Sequence, residues 1–275
     1  MFVPRSIAAT RIRKRLVSSG FVGYVGRSRI VSMRRAWAGF QRREGLKQIA
    51  IVLASFGVYE VARSFIEPDW GAAIANAERI AEFERGLSFA WEQSLQRAFL
   101  GVPELVEAMN VFYFVGHFVL TGVFFLWLYR SSSEGFRSFR NGFIAATAIA
   151  VVIHWWFPTA PPRVVGGLGI MDTLRVFWDV DIGSPHASAF SNPVAAVPSL
   201  HAGWAVGVGV GLVRYAKQPA LRVLGIVYPV VVMLTIVVTG NHFIFDALAG
   251  IAVLAAGFMV MEISKIRRRA LVWHT

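Results

Sequence analysis

Six apolar runs, each close to the length of a membrane-crossing helix, constrain the fold of this chain more than any other feature. They cover residues 47–66, 104–129, 141–157, 197–214, 222–239 and 243–263. A helix needs about 20 apolar residues to cross the hydrocarbon core of a bilayer, and some of the runs are shorter. Only 16% of the residues are charged, against about 25% in soluble domains. We therefore expect an all-α, polytopic membrane protein with a six-transmembrane-helix bundle.

Basic residues border these runs on one side, and they set the expected orientation. Arginines and lysines are frequent in the first 45 residues, in two of the links between runs and after residue 264. With six spans these regions share one side, which the positive-inside rule makes cytoplasmic. We expect a multi-pass plasma-membrane protein with both termini in the cytoplasm. Its parts are a basic arm (1–45), a membrane domain (46–264) and a basic tail (265–275).

The composition also limits partners and chemistry. A net charge of +12 would point to nucleic acid in a soluble protein. Here the charges lie at membrane borders, so we expect membrane lipids as partners and no nucleic acid. The chain has no cysteine, which excludes disulfides, thiolate catalysis and cysteine-ligated metals. No pattern indicates an oligomeric state.

Residues 72–100 lie between the first two runs and differ from both. Apolar residues recur there at helical spacing among charged ones: Ile74, Ile80, Phe83, Leu87 and Trp91. This pattern predicts an amphipathic helix in the membrane interface rather than a span.

Titratable side chains stand at the outer edges of two runs. His242 lies in the tight turn just before the sixth run, Asp246 lies near the start of that run, and His201 lies near the start of the fourth. Ionisable groups are costly in hydrocarbon and therefore mark functional sites. At a spacing of i, i+4, Asp246 can fix the tautomer of His242 and leave Nε2 free to attack phosphorus. The alternative is a pair that only stabilises the start of a helix.

Further residues on the same face suit a phosphate. His201 and Ser199 follow Pro198, a residue favoured at the first helical position, and a helix start attracts anions. His201 can then act as a general acid. Arg163, stiffened by the prolines before it, can bind phosphate oxygens in pairs. Four other residues either bond neighbouring helices or line a headgroup pocket: Asn110, Tyr113, His117 and His154.

In this order, the residues resemble the type 2 phosphatidic acid phosphatase superfamily. Residues 195–203 look like its Pro-Ser-Gly-His motif, and residues 239–246 look like its His-x-x-x-Asp motif. The similarity spans about residues 104–260. It implies a six-helix membrane core with an outward-facing site, a lipid phosphate substrate, and neither cofactor nor metal. By the same resemblance, His242 is the nucleophile, Asp246 its orienting partner and His201 the general acid.

The chain also departs from the usual family pattern. Leu200 replaces the glycine of the second motif, Ile236 stands where the third motif has an arginine, and Phe157–Arg163 replaces the Lys-x6-Arg-Pro motif. These departures look like the inositol phosphorylceramide synthase branch, which transfers phosphate headgroups between lipids. Arg163 is then the expected phosphate clamp, with Ser199 and Asn241 as further phosphate donors.

Several functions stay open at this stage. A phospho-histidine attacked by water makes a lipid phosphatase, and one attacked by an alcohol makes a headgroup transferase. A serine hydrolase using Ser199, His242 and Asp246 lacks the Gly-x-Ser-x-Gly turn. A proton-coupled transporter would distribute polar residues through the membrane depth. A non-catalytic scaffold is the last alternative.

Overall fold

The chain is helical wherever regular structure is described. The computed structural model describes residues 44–62, 65, 68–179 and 192–272. Within those residues it has nine helices: Glu44–Ala62 (α1), Trp70–Gly86 (α2), Glu92–Leu100 (α3), Pro103–Ser131 (α4), Ser133–Trp156 (α5), Thr173–Trp178 (α6), Leu200–Tyr215 (α7), Pro219–Val238 (α8) and Ile244–Val272 (α9). The all-α expectation is confirmed.

The chain divides into two units, Met1–Phe56 and Gly57–Thr275. The described part of the first unit is the beginning of α1. The second unit contains every candidate site residue. The predicted basic arm, 1–45, lies outside the described residues except for its last two positions, and the end of the predicted tail also lies outside them.

Five helices have the length and apolar composition of membrane spans: Glu44–Ala62, Pro103–Ser131, Ser133–Trp156, Pro219–Val238 and Ile244–Arg267. The chain is therefore a polytopic membrane protein. The remaining predicted span, 197–214, corresponds to α7, which has only 16 residues. At 1.5 Å per residue, α7 is about 24 Å long, which is less than the ~30 Å hydrocarbon thickness.

Hydropathy located the apolar centres of the spans better than their ends. The third run was predicted to begin at residue 141, whereas α5 begins at Ser133. The Ser132 hydroxyl accepts a hydrogen bond from the Gly135 N–H and caps this helix. Such a cap can begin a helix in polar sequence, which a hydropathy pattern does not detect.

The short helix α7 lies at the centre of the bundle and packs against α4, α5, α8 and α9. The core around it is aromatic and aliphatic, with Phe124, Phe139 and Phe143 almost fully buried. Consecutive spans run in opposite directions. As a result α4, α7 and α9 begin at the same end of the bundle at which α5 and α8 end, and we call it the site end.

Two helices that are too short or too polar to span, α2 and α3, pack at the site end. The sequence predicted one amphipathic helix here, but the segment folds as two, separated by a turn in which Ser88 has a φ of 56°. The side of α2 that packs on the protein is lined mainly by alanines such as Ala73 and Ala77. Phe83 and Trp91 are exposed instead. Small side chains allow the close approach of α2 to the loops beneath it.

Candidate active site

Three segments that are distant in sequence meet at the site end. The loop after α5 pairs with the segment before α7 through a short parallel bridge between Thr159 and Ala195. The Thr159 N–H donates to the Val194 carbonyl (2.7 Å), and the Ala196 N–H donates to the Thr159 carbonyl (3.1 Å). The turn between α8 and α9, residues 239–243, completes the site. Motifs two and three and the Arg163 loop are therefore adjacent.

His242 is buried, and its ring is held from one side. Nδ1 lies 3.0 Å from the Ala196 carbonyl oxygen and 3.2 Å from Asp246 Oδ2. Because both of these atoms are acceptors, Nδ1 must carry the proton, and Nε2 keeps its lone pair. Nε2 has no hydrogen-bond partner in the part of the chain that is described. The ring is thus oriented for reaction at Nε2.

Burial lowers the pKa of His242 to about 3, and the nearby positive charge of Arg163 contributes to that shift. The Ala196 carbonyl opposes the shift by accepting the Nδ1 hydrogen bond. His242 is therefore neutral at physiological pH, which is the state that a nucleophilic imidazole requires.

His242 and Asp246 do not share one helix face, contrary to the premise of the sequence argument. α9 begins at Ile244, so His242 lies in the turn before it. Asp246 is in the first turn of α9, and its Oδ2 also accepts the Phe243 N–H at 2.9 Å. One carboxylate oxygen thus fixes both the start of the helix and the His242 ring.

The second motif is joined to the third through the backbone. The Ser199 N–H donates to the Asp246 carbonyl at 3.0 Å. Gly250 lies against the same residue, since a Cβ there would be 2.0 Å from the Ser199 carbonyl oxygen. The start of α7 and the start of α9 are therefore in direct contact.

Ser199 caps α7 rather than facing the pocket. Its hydroxyl accepts the Ala202 N–H at 3.3 Å, and the residue is fully buried. α7 begins at Leu200, so Pro198 lies two positions before the first helical residue instead of occupying it.

His201 lies in the first turn of α7, as the sequence predicted. Its ring centroid is 5.9 Å from that of His242. The Tyr113 ring stacks on His201 with a centroid distance of 4.2 Å and an interplanar angle of 17°, and the Tyr113 backbone hydrogen-bonds it. Nε2 of His201 is buried without a hydrogen-bond partner among the described residues.

Arg163 is buried and firmly held. Its Nη1 donates to Asn241 Oδ1, its Nε lies 3.5 Å from Asp172 Oδ1, and its backbone N–H donates to the Gly240 carbonyl. The amide nitrogen of Asn241 donates to the Thr239 hydroxyl at 2.7 Å. Asn241 therefore orients Arg163, a function that the sequence did not indicate.

Gly240 makes the turn before His242 compatible with Arg163. Its φ is +69°, a region that residues with a Cβ rarely adopt. A Cβ at this position would also lie 3.0 Å from the Arg163 Cβ and 3.1 Å from the Met171 carbonyl oxygen. Only glycine fits both the conformation and the space.

A pocket opens at this cluster. The described residues that line it are Tyr113, Phe114, Pro161, Arg163, Asn192, Pro193, Ala195, Ala196, Asn241 and His242. Arg163 is the single cationic side chain among them. The described lining of the pocket thus contains one guanidinium and one neutral histidine, and its other residues are uncharged.

Of the four predicted headgroup residues, Tyr113 is the one that lines this pocket. The other three make hydrogen bonds within the protein. Asn110 bonds Thr173, His117 Nδ1 bonds the Tyr228 hydroxyl at 2.8 Å, and His154 Nε2 donates to the Pro198 carbonyl at 3.2 Å. A π-helical turn, Phe112–Gly116, shifts the helical register between Asn110 and His117.

The sequence argument missed several buried polar residues at the site end. Asp172 pairs with Arg163 and also caps α6, and its position before a short helical pattern was a usable signal. Glu84 and Glu92 bond backbone N–H groups at the start of α9. No sequence signal pointed to these two glutamates, because they looked like the polar face of an amphipathic helix.

Comparison with known proteins adds one finding. A family model described as "PAP2 superfamily" matches residues 78–260, about two thirds of the chain. The matched range contains α3 to α8, part of α2 and the part of α9 that carries Asp246. Neither a curated protein nor a solved structure matches the chain.

Proposed function

Because the chain belongs to the PAP2 superfamily, we propose that it is an integral-membrane lipid phosphatase or phosphotransferase that works through a phospho-histidine on His242. One observation carries this proposal. The ring of His242 has its Nδ1 proton fixed by Ala196 and Asp246, its Nε2 has no hydrogen-bond partner among the described residues, and His242 lines a pocket together with Arg163.

In the first chemical step, Nε2 of His242 attacks the phosphorus of the lipid phosphate. The N–P bond forms, the P–O bond to the leaving group breaks, and the departing oxygen takes a proton. His201 is the proposed donor of that proton, because its ring centroid is 5.9 Å from that of His242. Asp246 stabilises the positive charge that develops on the His242 ring.

Arg163 is the proposed clamp on the non-bridging phosphate oxygens. Its position is fixed by Asn241 and Asp172, so little reorganisation is needed when charge builds up on the phosphoryl group. The guanidinium also favours the neutral form of His242. One side chain thus supports both binding and nucleophilicity.

In the second step, an oxygen nucleophile attacks the phospho-histidine and gives its proton to His201, which lost one in the first step; the N–P bond breaks, and His242 is regenerated. Water as the nucleophile releases phosphate, whereas an alcohol gives a new phosphoester. The same residues serve both outcomes, since the acceptor takes the place of the leaving group.

A second candidate function, headgroup transfer from a phosphodiester lipid, is favoured by charge. Arg163 is the single cation among the described pocket residues, and Asp172 partly offsets it. A phosphodiester carries about one negative charge, whereas a phosphomonoester carries about 1.5 to 2 at pH 7. One clamp therefore matches a diester better, in line with a resemblance to the inositol phosphorylceramide synthase branch.

The active site is proposed to face away from the cytoplasm. All three motif segments meet at the site end, while Arg130, Arg140, Arg214 and Lys265 lie towards the opposite helix ends. The positive-inside rule assigns that opposite end to the cytoplasm. Cytoplasmic termini follow from the same rule, and the plasma membrane is the proposed location.

Two of the alternative functions gain no support from the described residues. For a serine hydrolase, the Ser199 hydroxyl would have to face His242, but it caps α7. For a proton-coupled transporter, the polar residues would extend through the membrane depth, but His201, His242 and Asp246 gather at the site end.

The testing experiment uses the purified full chain in detergent with EDTA. Phosphatidic acid, an isoprenyl diphosphate and phosphatidylinositol are offered separately, the last with and without an added diacylglycerol whose acyl chains differ from those of the donor. Lipid products are identified by mass spectrometry, which distinguishes the new phosphatidylinositol by its mass. We expect turnover by the wild type and none by His242→Ala or His201→Ala. We also expect an acid-labile phosphate on the peptide that contains His242.

The products separate the candidates. Free phosphate from phosphatidic acid supports a phosphatase, and a new phospho-headgroup lipid without free phosphate supports a transferase. Substantial activity in His242→Ala would refute the phospho-histidine mechanism.

A further inference from the structure

Three successive N–H groups at the start of α9 are each bound by a buried carboxyl group. Asp246 accepts the Phe243 N–H, Glu92 accepts the Ile244 N–H at 3.0 Å, and Glu84 accepts the Phe245 N–H at 2.7 Å. Glu84, Glu92 and Asp246 are 2%, 4% and 0% exposed. These N–H groups are therefore engaged and do not serve as the phosphate cradle.

This helix start lacks a local cap. The residue in the N-cap position is Phe243, whose side chain cannot accept a hydrogen bond, where serine, threonine or aspartate is usual. Asp246, the third helical residue, reaches back to the N-cap N–H, which is half of a capping box. Glu84 from α2 and Glu92 from α3 supply the rest, from 161 and 152 residues away in sequence.

Capping alone does not require this arrangement. Burying carboxyl groups carries a desolvation cost that a neutral serine or asparagine cap would avoid. What the two glutamates add is a fixed link between the first turn of α9 and two helices outside the membrane spans. That turn carries Asp246, and Asp246 holds the Nδ1 proton of His242.

We propose that Glu84 and Glu92 are positioning residues for His242, fixing the first turn of α9 and, through it, the Asp246–His242 pair. This inference rests on the proposed function for its kinetic consequence. Its structural consequence, ordering of residues 243–246, is independent of which lipid is turned over.

Protonation of Glu84 is part of the arrangement. Burial raises the pKa of Glu84 to about 8, against the effect of the Phe245 N–H, and the charge of Glu92 raises it further. The acidic groups that act on Glu84 are Glu92 on α3 and Asp246 on α9. Glu84 is therefore uncharged at neutral pH, and ionisation above pH 8 places a further negative charge among these carboxyl groups.

The test compares Glu84→Ala, Glu84→Gln and Glu92→Ala with Glu82→Ala as the matched control. Glu82 is on the same helix and exposed. Kinetics are measured with phosphatidic acid and with phosphatidylinositol in mixed micelles. Amide hydrogen exchange of peptides covering residues 240–248 is followed by mass spectrometry on the same proteins.

We expect Glu84→Ala and Glu92→Ala to lower kcat about ten- to a hundredfold with little change in KM, since reacting groups are misplaced while substrate contacts remain. Exchange at 243–246 becomes faster. Glu84→Gln is expected to keep most of the wild-type kcat, because its amide oxygen still accepts the Phe245 N–H. We also expect the wild-type rate to fall near pH 8, where Glu84 ionises, and we expect Glu84→Gln to lack this fall.

The proposal is overturned if Glu84→Ala and Glu92→Ala show the same kinetics and the same amide hydrogen exchange as the control Glu82→Ala. Should the alanine variants not fold, an unchanged fall in rate near pH 8 in Glu84→Gln would overturn it as well. If the wild type turns over neither lipid, the proposed function fails, and the exchange measurement still decides whether these glutamates order the turn.

Discussion

Gly250→Ala is expected to remove most of the activity by separating the two histidine-bearing helix starts. An alanine Cβ would lie 2.0 Å from the Ser199 carbonyl oxygen, and real Cβ contacts essentially never fall below 3.0 Å. The start of α7, with His201, and the start of α9, with Asp246, must therefore separate by about 1 Å. A misplacement of about 1 Å costs on the order of 100-fold in rate.

The assay is the initial rate of lipid turnover by the full chain at saturating substrate, with the melting temperature measured in parallel. Gly257→Ala is the matched control, because its Cβ would meet the Ala146 backbone nitrogen at 2.6 Å. That contact joins α9 to α5 away from the histidines. We expect both variants to melt earlier, and only Gly250→Ala to lose about 100-fold in kcat. A Gly250→Ala enzyme that is no slower than Gly257→Ala would refute the reasoning.

Further expectations concern individual groups of the site. Arg163→Lys keeps the charge but loses the planar fork, and kcat/KM should fall by about 10²-fold or more; a rate equal to the wild type would contradict the clamp. Tyr113→Ala should be slower than Tyr113→Phe, since only phenylalanine keeps a ring stacked on His201; equal kcat values would contradict this. The pKa of His242 is lowered from 6.5 to about 3 in the folded protein, so its stability contribution is complete above pH 6.5 and is lost as pH falls towards 3. As the pH is lowered from about 7 to about 4, the melting temperature should therefore fall more steeply for the wild type than for His242→Gln. Parallel curves for the two proteins would contradict this contribution of His242. Turnover should persist in EDTA, and its loss on chelation with recovery on added Zn²⁺ would contradict the metal-independent mechanism.

The candidate site could be predicted from sequence because span direction alternates. Apolar runs and basic links were enough to place the Arg163 loop, His201 and His242 at one end of the bundle. The structure brings these segments together. The Asp246–His242 contact was also accessible, since a spacing of four residues brings side chains close even when the first residue precedes the helix.

The residues of α2 and α4 that surround the site could not be predicted from the sequence, for two physical reasons. In α2 the packed face combines alanines with Ile80 and Glu84, while Phe83 is exposed, so the apolar pattern located this face only in part and did not reveal Glu84. In α4 the π-helical turn breaks the 3.6-residue period, and Asn110 and His117 do not line the pocket with Tyr113. Both effects depend on tertiary packing, which a local pattern does not encode.

The caps on α9 have a consequence for how the protein matures. Glu84 and Glu92 are translated more than 150 residues before the N–H groups they bind, and every span from α4 to α8 lies between the two partners in the chain. Loop closure over such a distance is the slowest kind of contact to form. The turn that carries His242 cannot receive these two hydrogen bonds until α9 itself has been synthesised. We therefore expect the proposed reaction centre to become organised late in the biogenesis of the protein.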